Sequence, residues 1–307
     1  MSFGLGDEQL DQLFDQIPCL SGKPRSMEDL SGGLTNRNVK VNTPDGVFVA
    51  RCTDGNADAL GIDRDVEHAN TVAAEEAGVG AAVHDYRPDL GVLVIGFIDG
   101  VTLSRESFTE PGMVARVAEG CRTLHAGPEF RGVFDMFERQ RGYLATVQDS
   151  GYRIPDGYLD HAESLESIRT ALAVRDEGTV PCNNDLLAEN FVDDGEKIWL
   201  IDYEYSGNND ACFELGNIWN ECRLSLDQLE ELVTTYYGRP RRSRLARARL
   251  QGIVGQYGWT LWGAIQHDVS PMDFDFWEWA MERYDIVQRE LGGADLSQLL
   301  DDVQLTD

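Results

Sequence analysis

Asp185, Asn190 and Asp202 are the residues whose types and spacing carry the most chemistry. Asp185 and Asn190 stand five apart in Asn184-Asp185-Leu186-Leu187-Ala188-Glu189-Asn190. Asn190-Phe191-Val192 is then separated by Asp193-Asp194-Gly195-Glu196 from Lys197-Ile198-Trp199-Leu200-Ile201-Asp202. Asp-Gly between two apolar runs predicts a hairpin, which sets its two ends side by side. Asn190 and Asp202 should therefore lie close together. An amide oxygen and a carboxylate held in this way are hard donors of the kind magnesium takes, with phosphate and water. A carboxylate five residues before the Asn is placed to accept the proton of an attacking hydroxyl. Singly, Asp and Asn commonly make turns. Together, the three have the form of a phosphoryl-transfer loop followed by its metal-binding Asp.

These residues need elements to position them. Residues 8–17 read as a helix with Leu10, Leu13, Phe14 and Ile17 on one face. Ser31-Gly32-Gly33-Leu34-Thr35-Asn36 breaks that pattern, and Val39-Lys40-Val41, Pro44-Asp45-Gly46 and Val47–Arg51 follow as strand, turn and strand. A helix is predicted over 63–77 and strands near 81–86 and 91–97. Beyond Gly96–Gly100 helices are predicted over 111–126, 134–149, 157–175, 211–222, 226–237, 241–267 and 274–291, interrupted by the hairpin. The acidic tail from Gly292 is expected to fray. The division is a β-rich N-terminal lobe, residues 1–97, and a larger helical lobe, 98–307, with a ligand in the cleft between them.

Composition excludes several classes of partner. The 307 residues carry 26 basic and 54 acidic side chains, a formal net charge of −28. Nucleic acid requires clustered positive charge, so no nucleic-acid partner is expected, and an anionic membrane surface is disfavoured for the same reason. Only Lys23, Lys40 and Lys197 are lysines. Such a chain presents a solvated acidic surface. The run Arg239–Arg249 reads as the solvated opening of a long helix that offsets local acidity. Six scattered cysteines without a CxxC pair point to buried free thiols in a reducing compartment. The start of the chain lacks a basic, apolar leader and the longest apolar stretch, Gly91–Ile98, is too short to span a bilayer. A cytoplasmic protein without membrane insertion is expected. The five histidines show no metal spacing and receive no catalytic role.

Asn184-Asp185-Leu186-Leu187-x-x-Asn190-Phe191, Ile201-Asp202-Tyr203-Glu204-Tyr205-Ser206-Gly207 and Phe213-Glu214-Leu215-Gly216-Asn217 together resemble the choline/ethanolamine kinase family, of the aminoglycoside phosphotransferase-like branch. The resemblance covers about residues 28–290. It implies an α+β, two-lobed protein-kinase-like fold, ATP and Mg2+ as cofactors, and a small amino alcohol as acceptor. Asp185 would be the catalytic base, and Asn190 and Asp202 the magnesium ligands. Ser31–Arg37 is similar to the family's phosphate-covering loop, with Gly32, Gly33 and Asn36 at the nucleotide; glycines there let backbone N–H groups approach phosphate. Arg51 matches the residue that grips the phosphates, and Glu67 is set to pair with it. Phe97 and Ile98 resemble the hinge whose backbone meets adenine. One departure is Asn183, where the family usually has a structural His that ties the loop to the backbone near the metal Asp. Asn can also donate and accept, so the tie can survive.

The aromatic residues have two readings. Five of the six tryptophans follow residue 218, and Trp259 and Trp262 share a helix face. Aromatic stripes of this kind usually form helix–helix core. They also recognise a quaternary ammonium, which has no N–H to donate. The resemblance favours the second reading: Trp259-Thr260-Leu261-Trp262 is similar to the family's choline-facing helix, Phe274 and Trp279 match further box positions, and Glu221 matches an acidic residue facing the cation. Glu204 either joins the site or only orders the metal loop. The expected reaction is phosphorylation of choline to phosphocholine. The alternatives are ethanolamine or thiamine as acceptor, or a non-catalytic nucleotide- or amine-binding module.

Overall fold

Five strands near the N-terminus form an antiparallel sheet: β1 (Ser26–Leu30), β2 (Asn36–Thr43), β3 (Gly46–Thr53), β4 (Val83–Arg87) and β5 (Val92–Gly96), in the order β1-β2-β3-β5-β4. The computed structural model describes residues 5–30, 36–53, 61–175 and 177–307. Alternation along β3 decides what each face of the sheet does. Phe48, Ala50 and Cys52 join Val39, Val41, Val92 and Val94 under helix α1 (Asp7–Phe14) and the turns after it, through Leu10, Phe14, Ile17 and Leu20. Val49 and Arg51 consequently point to the opposite face. Helix α2 (Arg64–Glu76) starts at Asp63, whose side chain accepts from the N–H groups of Asp65 and Val66. Strand β1 was not foreseen, because Ser-Met-Glu-Asp-Leu on a sheet edge has no apolar alternation to read.

Short strand β6 (Val101–Thr102) pairs with β8 (Phe191–Asp193), which pairs with β9 (Ile198–Leu200). Gly100 is required here: a Cβ would lie 2.6 Å from the Asp193 carbonyl oxygen. Strand β7 (Val180–Cys182) pairs antiparallel with β10 (Gly207–Asn209). The remainder is helical: α3 (Met113–His125), α4 (Met136–Ser150), α5 (Ala162–Ala173), α6 (Ala211–Glu221), α7 (Leu226–Tyr237), α8 (Arg242–Val269), α9 (Phe276–Gly292) and α10 (Leu296–Asp302). Helices α3, α6 and α7 build one core around Leu124, Leu186, Phe191 and Leu215. Helices α4, α5, α8, α9 and α10 build another around Phe213, Leu250, Ile253 and Tyr257.

Three expectations are corrected. The tail does not fray: α10 buries Leu299, and Val303 just after it is buried on the same core. The helix over 157–175 begins as a 3-10 turn, Tyr158–His161, after Gly157 at φ 78°, because Tyr158 stacks on Tyr257 with ring centroids 4.0 Å apart. The arginines at the start of α8 are a solvated opening only in part: Arg239 and Arg242 are exposed, but the later ones turn inward. Arg247 is buried and pairs with Asp210 at 2.5 Å, and Arg249 pairs with Glu290 at 2.9 Å. Cys19 is half-buried, the other five cysteines are buried, and all six are free thiols. No helix among the described residues is long and apolar enough to cross a membrane.

Candidate active site

The loop from β7 to β8 is held by amide side chains rather than by regular structure. Asn183 donates its side-chain N–H groups to the carbonyls of Ile201 and Asp202, at 3.1 and 2.8 Å, and its side-chain oxygen accepts from the Asp185 N–H at 3.1 Å. The tie expected of a His is thus made by Asn. Asn184 sits in the left-handed region, φ 69°, with its amide on the carbonyls of Cys182, Tyr205 and Gly207. Glu214 of α6 is fully buried and accepts from the backbone N–H groups of Asn183 and Asn184, at 3.0 and 2.6 Å. The Asn217 side-chain oxygen accepts from Leu186 N–H at 2.8 Å. Glu214 and Asn217 were read only as part of a pattern; their anchoring role needed the fold. His125 lies 3.2 Å from Glu214 and 3.6 Å from the Cys182 sulfur, a hydrogen-bonded core histidine.

The hairpin does bring its ends together. Ile201 N–H donates to the Asn190 carbonyl at 3.0 Å. Asn190 donates its amide to the Asp185 carbonyl at 2.7 Å, so its side-chain oxygen is the end turned away from the loop. Asp202 is in the left-handed region, φ 65°, and its side chain remains 28% exposed. Burial, then the charges of Asp202, Glu221 and Glu204, push the Asp185 carboxyl well above the ordinary carboxylate range, and Arg283 opposes them. Burial also raises Asp202, against the pull of Arg51.

Arg51 extends one guanidinium nitrogen to three carboxylates: Asp202 at 2.7 Å, Glu67 at 3.3 Å and Glu204 at 3.5 Å. Burial works against its charge, but those carboxylates outweigh burial and raise its pKa. Arg64, three residues before Glu67 on α2, bonds both Glu67 and Glu204 at 2.6 Å. It was missed, although its i,i+3 spacing from Glu67 was visible. The Asn36 amide bonds the Glu204 carboxylate. Glu204 therefore belongs to the charged network beside the metal loop. Gly32 and Gly33 lie outside the described residues. Of the two expected hinge residues, Phe97 donates its N–H to the Val47 carbonyl at 3.0 Å, which ties the hinge to β3 and uses no backbone carbonyl of Phe97 or Ile98. The Phe97 ring carries the Lys40 ammonium at 3.8 Å.

Asp185, Asn190 and Asp202 open onto a cavity of about 710 Å³. Its lining also includes Glu204, Tyr205, Glu221, Trp259, Trp262, Met272, Phe274, Trp279 and Arg283. All five residues expected at the acceptor are thus brought together, yet the core reading is also partly right: Trp259 and Trp262 are buried, while Phe274 is 42% exposed at the rim. Trp262 donates its indole N–H to the Tyr205 hydroxyl at 2.7 Å and lies 5.1 Å from Trp279. Trp277 instead lies outside, under Arg153 at 3.7 Å. Glu221 does not stand alone. One carboxylate oxygen accepts from Gln256 at 2.7 Å and the other from Arg283, whose guanidinium covers the Trp279 ring at 3.2 Å. Burial pushes the Arg283 pKa down, with Glu221 opposing. Tyr205 and Arg283 were not foreseen; Arg283 lies four residues after Trp279, one turn along the same face.

The Choline/ethanolamine kinase family model matches residues 27–236. A choline/ethanolamine kinase family protein from Mesorhizobium loti has a crystal structure that superposes with a TM-score of 0.86, at 32% identity over 97% of this chain and 98% of that one. Among curated relatives, Protein LicA of Haemophilus influenzae is 26% identical over 83% of this chain and 76% of its own length. Ethanolamine kinase 2 of Rattus norvegicus is 26% identical over 61% of this chain and 56% of its own length. With most of its length matched by the family model and nearly all of it superposing on a family member, the chain belongs to the choline/ethanolamine kinase family and has its two-lobed kinase-like fold.

Proposed function

We propose that this family member transfers the γ-phosphoryl group of MgATP to the hydroxyl of choline. The observation that carries the reading is one cavity lined both by Asp185, Asn190 and Asp202 and by Tyr205, Trp262 and Trp279. Asp185 accepts the hydroxyl proton as the oxygen bonds to the γ-phosphorus and the bridge to the β-phosphate breaks. The products are phosphocholine, ADP and a proton. The donors offered by Asn190 and Asp202 are all oxygen, which suits Mg2+; these residues would hold it, and when bound it neutralises phosphate charge. Arg51 leaves Asp202 for the phosphates, and Arg64 keeps Glu67 and Glu204 compensated. Catalysis rests on positioning and electrostatic stabilisation, with no covalent intermediate.

In this reading residues 1–97, with Asn36, Arg51, Glu67 and Phe97, bind the nucleotide together with Ile98 at the start of the second lobe. Residues 98–307 carry the catalytic loop and the acceptor. The end of β5 at Gly96 and the pairing of β6 with the catalytic hairpin support that division.

Ethanolamine is the second reading, favoured by the ethanolamine kinase among the relatives. ADP release with MgATP, measured with choline, ethanolamine and thiamine, decides between them. Choline-dependent turnover that falls about 10²–10⁴-fold in Asp185→Ala, with nucleotide binding retained, is the expected result. Equal turnover in that variant would remove Asp185 from the mechanism. Nucleotide binding without turnover on any acceptor would favour a binding module.

A further inference from the structure

We infer that the Tyr205 hydroxyl hydrogen-bonds the oxygen of the acceptor's hydroxyl and so turns that hydroxyl's own proton toward Asp185. The inference rests on the kinase reading of the same cavity and deepens it.

Tyr205 is 3% exposed, yet it lines the cavity with Asp185 and Trp262. Its ring meets Trp259 edge-on at 5.0 Å and the Arg139 guanidinium at 5.4 Å. Its backbone carbonyl accepts from the side chain of Asn184, the residue before Asp185, at 3.0 Å. The phenol is therefore held from the catalytic loop as well as by its aromatic neighbours. A hydroxyl has one proton to give and lone pairs to accept with. The Tyr205 oxygen accepts the Trp262 indole N–H at 2.7 Å, and no group among the described residues accepts its own proton. Accepting from Trp262 polarises the O–H and makes it a stronger donor. Burial first, then the nearby Tyr143, Glu204 and Asp185, raises the phenol well above its ordinary pKa, so the proton stays on it.

A buried donor without a partner costs free energy, which an occupant of the cavity recovers by offering an acceptor. Choline has one atom that can accept, its hydroxyl oxygen, because the quaternary nitrogen has no lone pair. In the transfer that hydroxyl gives its proton to Asp185 and one lone pair to phosphorus. Its other lone pair is left for Tyr205. Trp259 Nε1 and Arg283 Nε are also buried without a partner. They stand on α8 and α9, whereas Tyr205 follows Asp202 by three residues and is tied to the residue before Asp185.

The experiment measures kcat/KM for choline in the wild type and in Tyr205→Phe. Ethyltrimethylammonium, which has the head group but no hydroxyl, is the competitive inhibitor. The expected result is a fall of about tenfold for choline, the upper end for one neutral hydrogen bond, with the inhibition constant of ethyltrimethylammonium unchanged. A purely structural role, through a displaced Trp262, would weaken both in parallel. Parallel loss overturns the inference, as does an unchanged kcat/KM for choline or a loss confined to KM for MgATP, and each leaves the choline reading standing. Wild-type protein that turns over no choline overturns both. If Tyr205→Phe does not fold, Asp185→Ala removes the hydroxyl's other protein partner, and calorimetry on that variant decides. Choline is expected to bind it about fivefold more tightly than ethyltrimethylammonium does, and equal affinities overturn the inference.

Discussion

Asn183 does with one amide what two separate anchors would otherwise do: it ties both carbonyls before and at Asp202 and receives the Asp185 N–H. Asn183→Ala removes all three bonds and frees Asp185 relative to Asp202. Misplacing a reacting group by about 1 Å can cost about 10²-fold, so kcat should fall by up to about that factor while KM for MgATP changes less. Steady-state kinetics on both substrates checks this; a larger change in KM than in kcat would assign Asn183 to nucleotide binding instead. Asp185 carries a second consequence. The folded chain holds its carboxyl above the unfolded value, through burial first and neighbouring carboxylates second. Ionising it therefore weakens the fold as pH rises through the raised value, and no cost remains where it is protonated. Asp185→Asn should melt higher than wild type at neutral pH in metal-free protein, with the gap closing toward acid. Thermal melts across pH test the sign; a lower Tm at neutral pH would contradict it.

At the scale of elements, α6 connects the two halves of the site. Its first turn carries Glu214 to the catalytic loop, and its end carries Glu221 to the acceptor cavity. Both depend on how closely α6 crosses α8, the helix bearing Trp259 and Trp262. The crossing is backbone on backbone: a Cβ on Gly216 would stand 2.2 Å from the Ala248 carbonyl oxygen and 2.6 Å from the Gly252 nitrogen. Neither neighbour is a flexible side chain, so the helices must separate to admit a methyl group. Gly216→Ala should cost roughly 3 kcal/mol, the upper part of the usual overpacking range, and should raise acceptor KM because Glu221 and Trp262 move apart. Denaturant unfolding with acceptor kinetics checks it; unchanged stability would mean that the crossing is looser than its geometry.

Over the whole molecule, a net charge of −28 is a standing self-repulsion. Several surface acids are engaged by arginine, as in Arg25 with Asp11 and Asp15 or Arg116 with Asp193, but 26 basic groups cannot match 54 acidic ones. Salt shortens the Debye length from about 30 Å at 0.01 M to about 3 Å at 1 M, which relieves repulsion between distant carboxylates more than it weakens close ion pairs. The Tm should therefore rise with added sodium chloride. A flat or falling Tm over that range would show that the surface pairs outweigh the net charge.

Local signals were enough for much of this. The hairpin that joins Asn190 to Asp202 follows from Asp-Gly between apolar runs, and most helices follow from periodic apolar faces, because turn chemistry and amphipathic period are properties of neighbouring residues. Asn183 as a tether followed from its side-chain donors and the family pattern. Edge strand β1 did not follow, since its polar sequence gains structure only from the strand it docks on; helix α10 was missed although Leu296, Leu299, Leu300 and Val303 carry the i, i+3, i+4, i+7 spacing of an apolar face. Nor did Arg64 with Glu204, or Arg283 with Glu221, pairs separated by 140 and 62 residues. By itself the sequence determined the three chemical groups, their local spacing and the family they resemble. Only the tertiary structure decided which charges compensate one another in the cavity, because a buried charge takes its partner from whatever chain segment packs against it.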